Sequence, residues 1–122
     1  MSIDLAVWEG PQPASDKEAA ATFEALYDRY VARDDTTPPT ARITAYVDAL
    51  LARFPDFTEL DDDAMDDNPW ADAPLISNAI GPFMYFGMVR SATFDEAWSH
   101  AVSTARSMDL VCFDPQSLRL AS

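Results

Sequence analysis

The sequence predicts an α+β fold, a small sheet covered by helices, and three observations predict it. Apolar Ile3, Leu5 and Val7 alternate with period two, and Ile43 to Phe54 repeats apolar residues at i, i+3 and i+4. Proline- or glycine-bearing breaks separate the periodic segments. Of the 122 residues 48% are hydrophobic and 11% aromatic, which suits one folded domain, 1–122, and not a disordered acidic tail.

The elements follow in order. Ile3 to Trp8 is the first strand, stopped by Gly10, Pro11 and Pro13, since proline removes a backbone donor. Ser15-Asp16-Lys17-Glu18 is a capping box that opens a helix to about Val31, with Ala20, Phe23, Tyr27 and Tyr30 on one face. After a connector from Arg33 to Pro39, a second helix runs from Thr40 to about Phe54. Its stripe of Ile43, Tyr46, Val47, Leu50, Leu51 and Phe54 is the strongest helical signal in the chain. Leu75 to Asn78 and Phe83 to Val89 are extended, and Ile80-Gly81-Pro82 between them predicts a hairpin loop longer than two residues. Thr93 to Glu96 repeats the capping pattern and starts a third helix to about Met108, with Phe94, Ala97, Trp98, Ala101, Val102 and Ala105 inward. Leu110 to Phe113 is the last strand.

The resulting order, β-α-α-β-β-α-β, is a ferredoxin-like split β-α-β with an extra helix. It predicts a mostly antiparallel four-stranded sheet with the first and third strands central. The third strand is apolar on both sides, with Phe83, Tyr85 and Val89 on one and Met84, Phe86 and Met88 on the other. Both sheet faces therefore need a cover: a helix, the loop carrying Trp70, or a second copy of the chain, which leaves a homodimer open.

The charge is the most unusual property. Twenty-one acidic residues against eight basic ones give −13, and between Asp56 and Asp72 no Lys or Arg interrupts the acids. Such a surface repels nucleic acid and anionic membranes and attracts a basic protein. Glu59, Asp61, Asp62, Asp63, Asp66, Asp67 and Asp72, with Trp70, are the candidate partner-binding residues. Phe57, Leu60, Met65 and Trp70 stand among the charges as apolar anchors, the mixture that protein interfaces use. The bland alternative is a solvated acidic loop whose aromatics pin it to the core.

Other chemistry finds little support in the residue patterns. Asp61, Asp63 and Asp72 fall at positions 1, 3 and 12 of a calcium-loop count. Met65 and Asp66, however, occupy the positions that need an oxygen ligand and a glycine. One cysteine and one histidine do not make a typical zinc site. His100 is expected exposed to solvent on the polar side of the third helix, and Cys112 as a small buried hydrophobe between Val111 and Phe113. There is no nucleophile elbow, and Gly10, Gly81 and Gly87 are too scattered for a phosphate-binding loop. No cofactor, metal or catalytic residue is expected. The start, MSIDLAVWEG, lacks a basic region and so does not read as a signal peptide; a single cysteine suits a cytoplasmic setting.

The segments DLAVWEG, PWADAPLI and LVCFDPQ, together with PPTARITAYVDALLARFPD and the GPF-YF hairpin, resemble a group of small acidic bacterial proteins of the actinobacterial type, generally described as uncharacterised. The resemblance covers nearly the full length and implies no activity. In kind rather than motif, the chain is also similar to immunity proteins, small acidic proteins that bind basic toxin domains. The leading expectation is a protein-binding module that occludes a basic toxin. The alternative is a small enzyme or ligand-binding domain with an aromatic pocket near Trp8, Tyr85 and Trp98.

Overall fold

The computed structural model describes residues 2–33, 35–56, 68–71 and 73–121. Strand β1 (Ser2–Trp8) leads to helix α1 (Asp16–Leu26), which continues into a π-helical turn, Tyr27–Val31. Helix α2 (Ala41–Arg53) follows, then a 3-10 turn at Leu75–Asn78 and the hairpin of β2 (Ala79–Ile80) and β3 (Phe83–Val89). Helix α3 (Phe94–Ser107), β4 (Val111–Asp114) and β5 (Arg119–Leu120) complete the described elements.

Among the described residues the sheet is antiparallel and five-stranded, in the order β2-β3-β1-β4-β5. The expected four strands become five because the chain turns back after Pro115. Two residues are too few to leave a period in the sequence. Asp114 holds that turn, its carboxylate accepting from the Gln116 backbone N–H at 3.0 Å and from the Ser117 hydroxyl at 2.9 Å. Leu75 to Asn78 is also a correction. It coils as a 3-10 turn, closed by a Ser77 N–H to Pro74 carbonyl bond of 3.0 Å, and only Ala79–Ile80 pairs with β3. The hairpin loop, expected to exceed two residues, is the two-residue Gly81-Pro82, since Ile80 lies opposite Phe83. Glycine at φ +57° makes so tight a loop possible, and a Cβ there would come within 3.3 Å of the Tyr30 ring.

The period-two alternation of the strands divides the core in two. Leu5, Val7, Met84, Phe86, Met88 and Cys112 point to the layer formed by α2 and α3. Ala6, Trp8, Phe83, Val111 and Phe113 point to the opposite layer, formed by α1 and its π turn. A first helix on one face and two on the other meet the need for two covers read from β3. Met84, Phe86 and Met88 are at most 1% exposed within one chain. Because α2 and α3 fill that face, Met84, Phe86 and Met88 offer a second copy of the chain no exposed surface.

Local chemistry explains where α1 and α2 begin, whereas α3, expected to open on a second capping box at Thr93, starts without a side-chain cap bond. The Ser15 hydroxyl accepts from the Glu18 N–H at 3.2 Å, and the Glu18 carboxylate accepts from the Ala14 N–H at 2.9 Å. At α2 the Thr40 hydroxyl accepts from the Ile43 N–H at 3.2 Å. The four inward residues Ile43, Tyr46, Val47 and Leu50 are buried, and each such large side chain contributes about 1.5–3 kcal/mol. Ala97, Ala101 and Ala105 give α3 a flat inner face, against which the buried Tyr46 hydroxyl donates to the Ala101 carbonyl at 2.9 Å.

One side chain substitutes for strand. β4 pairs with β1 at Ala6 to Trp8, leaving Asp4 beyond its reach. The Gln116 amide fills that place: its Oε1 accepts from the Asp4 N–H at 2.6 Å and its Nε2 donates to the Asp4 carbonyl at 2.8 Å.

Candidate interaction surface

Seven of the candidate partner-binding residues, Glu59, Asp61, Asp62, Asp63, Asp66, Asp67 and Asp72, lie outside the described residues, as do Phe57, Leu60 and Met65. The two ends of the acidic segment are described, and they are fastened to each other. Trp70 Nε1 donates to the Phe54 carbonyl at 2.6 Å, and Asn68 Nδ2 donates to the Pro55 carbonyl at 2.7 Å. Asn68 Oδ1 also accepts from the Trp70 N–H at 3.0 Å. Asp56, the first acid of the stretch, is buried and accepts from the Leu75 N–H at 2.8 Å. It therefore belongs to the framework and not to the surface. Beyond this crossing, residues 69–71 pair with the outer edge of β3: Val89 N–H bonds the Pro69 carbonyl at 2.8 Å and Ala71 N–H the Gly87 carbonyl at 3.0 Å.

Trp70 was the one apolar anchor of the candidate set that can be placed. It is 2% exposed, edge-on to both Phe54 and Phe86 at about 6 Å. Its ring is a core residue that pins the segment, and it offers a partner almost no surface.

The aromatic pocket expected near Trp8, Tyr85 and Trp98 is not assembled. Trp8 and Tyr85 belong to the α1 layer, whereas Trp98 packs on the α2–α3 layer with Phe94 as its ring neighbour. His100 is also a correction. It is half-buried between helices, with Nε2 3.2 Å from the Ala49 carbonyl and the ring 6.1 Å from Phe54. Its face is polar in sequence, but α2 packs close enough to enclose it. Cys112 is 4% exposed, and burial, reinforced by the nearby Asp114 charge, pushes its thiol from 9.0 up to about 12. It is a small core residue and a poor nucleophile.

A different grouping stands on the α1 layer. Phe23, Tyr27 and Tyr85 have ring centroids 5.5–5.9 Å apart and line a cleft of about 470 Å³ together with Glu24, Asp28 and Pro115. The Tyr85 hydroxyl donates to the Asp4 carboxylate at 2.7 Å; burial and that acceptor raise the phenol well above its ordinary value. The signal in the sequence is the doublet Phe23-Glu24 repeated four residues later as Tyr27-Asp28, which sets two aromatics and two acids in adjacent rows along one helix. The aromatics of this pattern also fit a core face, and only the acids beside them mark it as a surface.

Among the described residues there are two ion pairs, Arg42 to Glu9 at 3.9 Å and Arg53 to Glu96 at 3.7 Å, both near the surface and worth little. No group of His, Cys, Asp and Glu among the described residues could hold a metal ion, and no helix among them is long and apolar enough to cross a membrane. No family model, curated protein or solved structure matches the chain.

Proposed function

We propose that the protein is a binding module that presents its acidic segment to a basic protein partner, as an immunity protein does to a toxin domain. The observation that carries this reading is the pairing of an unbalanced run of acids with a clasp at its two ends. Between Asp56 and Asn68 the chain carries Glu59, Asp61, Asp62, Asp63, Asp66 and Asp67 with no basic residue. Its flanks are held together by the Trp70 and Asn68 hydrogen bonds. Clasped ends limit the chain entropy that a partner must remove on binding, and like charges gathered in one place attract a cationic face from a distance. The mechanism is occlusion: the acids steer the partner in and then cover its basic surface.

The strand order β2-β3-β1-β4, with α2 and α3 on one face, supports describing the scaffold as a ferredoxin-like split β-α-β to which α1 and β5 have been added. The likeness to small acidic actinobacterial-type proteins is part of the same proposal.

The test begins with low-salt capture of basic proteins from a bacterial lysate, using wild-type protein and a variant with asparagine at Asp61, Asp62, Asp63, Asp66 and Asp67. For a protein retained by the wild type, the variant slows association by about 10-fold or more at low salt and flattens the salt dependence. An unchanged on-rate at low salt refutes the electrostatic mechanism.

A further inference from the structure

The cleft on the α1 layer combines features that separately would mean little. Its floor is aromatic and half-buried, from Phe23, Tyr27 and Tyr85, and its rim carries the exposed carboxylates of Glu24 and Asp28. Neither carboxylate takes part in the two ion pairs found among the described residues. The nearest cation in sequence, Arg29, lies over the Tyr30 ring at 5.1 Å. The faces of aromatic rings are negative, so rings and carboxylates in one cleft favour the same ligand, a cation with an apolar stem.

We propose that this cleft receives a single arginine side chain from a basic peptide segment, with the guanidinium plane against a tyrosine ring and its N–H groups directed to Glu24 and Asp28. Arginine suits the cleft better than lysine. Its planar fork stacks on an aromatic face while still bonding carboxylates, whereas an ammonium is a compact, strongly hydrated charge. At about 470 Å³ the cleft admits a side chain and its neighbours in an extended segment, not a folded domain. The Tyr85 ring is already oriented by its bond to Asp4, so little ordering remains for the ligand to impose. The site shares only its basic partner with the function proposed above. It lies on the sheet face opposite the ring of Trp70, and so is separable from the acidic segment by mutation.

The probe is acetyl-Gly-Arg-Gly-amide, titrated at low ionic strength while the ring resonances of Phe23, Tyr27 and Tyr85 are followed by NMR. Saturable shifts on these three rings are expected. The double substitution Glu24→Gln and Asp28→Asn weakens binding about tenfold, because it removes both charge-assisted acceptors. Asparagine at the five aspartates 61, 62, 63, 66 and 67 leaves the saturable ring shifts in place, because Glu24 and Asp28 supply the charged acceptors. Equal binding of the neutral citrulline peptide, or wild-type affinity in the Glu24/Asp28 variant, overturns the proposal. Loss of binding in the five-aspartate variant alone also overturns it and leaves the acidic-segment reading standing. Retained peptide binding with an unchanged partner on-rate in that variant does the reverse.

Discussion

Replacing Trp70 with phenylalanine tests how the acidic segment is held. Phenylalanine keeps a six-membered ring against Phe54 and Phe86 but removes the Nε1–H that reaches the Phe54 carbonyl at 2.6 Å. That carbonyl lies in a residue only 9% exposed, so it is left without its buried donor, at a cost of about 1–3 kcal/mol. The lost ring atoms remove apolar burial worth about 1 kcal/mol more. The sum is about 2–4 kcal/mol, measured by urea unfolding as a midpoint lowered by roughly 1–2 M at an unchanged slope. Asn68→Ala removes a donor to Pro55 and an acceptor for the Trp70 N–H, and loses about 1–3 kcal/mol by the same reasoning. Because both residues clasp one crossing, the double variant is less damaged than the sum of the singles, by at least about 0.5 kcal/mol. A loss below about 1 kcal/mol for Trp70→Phe refutes the clasp. Strict additivity shows instead that the two ends are anchored independently.

Two other outcomes follow from groups in the sheet. Gln116→Ala opens the strand-like bridge to Asp4 and costs about 1–2 kcal/mol in thermal or urea unfolding, while Gln116→Glu costs more, because a carboxylate cannot donate to the Asp4 carbonyl and sits beside Asp114. Cys112 makes stability fall at alkaline pH. Its thiol is raised from 9.0 to about 12, so the protonated form is favoured in the folded state and the contribution is complete below pH 9. It is lost as pH rises toward 12, at no more than about 1.4 kcal/mol per pH unit. Tyr46 and Tyr85 are also raised but start from 10.0, so the decline between pH 9 and 10 is the part that Cys112→Ala abolishes in urea titrations.

What could be read from the sequence was whatever left a period or a cap. The α2 stripe and the two-faced β3 strand each repeat a local rule several times, the Ser15 cap is complete within four residues, and all three lie where expected. Features set by a single distant contact left no such trace. β5 exists because Asp114 folds the chain back, and Gln116 acts as strand only because β4 stops short of Asp4. His100 looked solvated because its own helix face is polar, and the proximity of α2 was not visible in that face. Trp70 stood among aspartates and read as a surface anchor. Its two neighbours in space, Phe54 and Phe86, are 16 residues away on either side, too far for any local pattern to connect them.

The distribution of charge explains why a fold of this size tolerates −13. The core contains no unpaired acid among the described residues: Asp56 and Asn68, its two buried polar side chains, are spent on backbone N–H and carbonyl groups at the clasp. With 21 acids against 8 bases the folded state carries self-repulsion that is relieved wherever a cation arrives. A basic partner would therefore stabilise this protein beyond what its contact area alone supplies, since each neutralised carboxylate also relaxes its neighbours. Added salt should mimic part of that effect. If sodium chloride up to about 0.5 M leaves the urea midpoint unchanged, repulsion among the acids is too small to drive binding, and the acidic segment is a solvated loop.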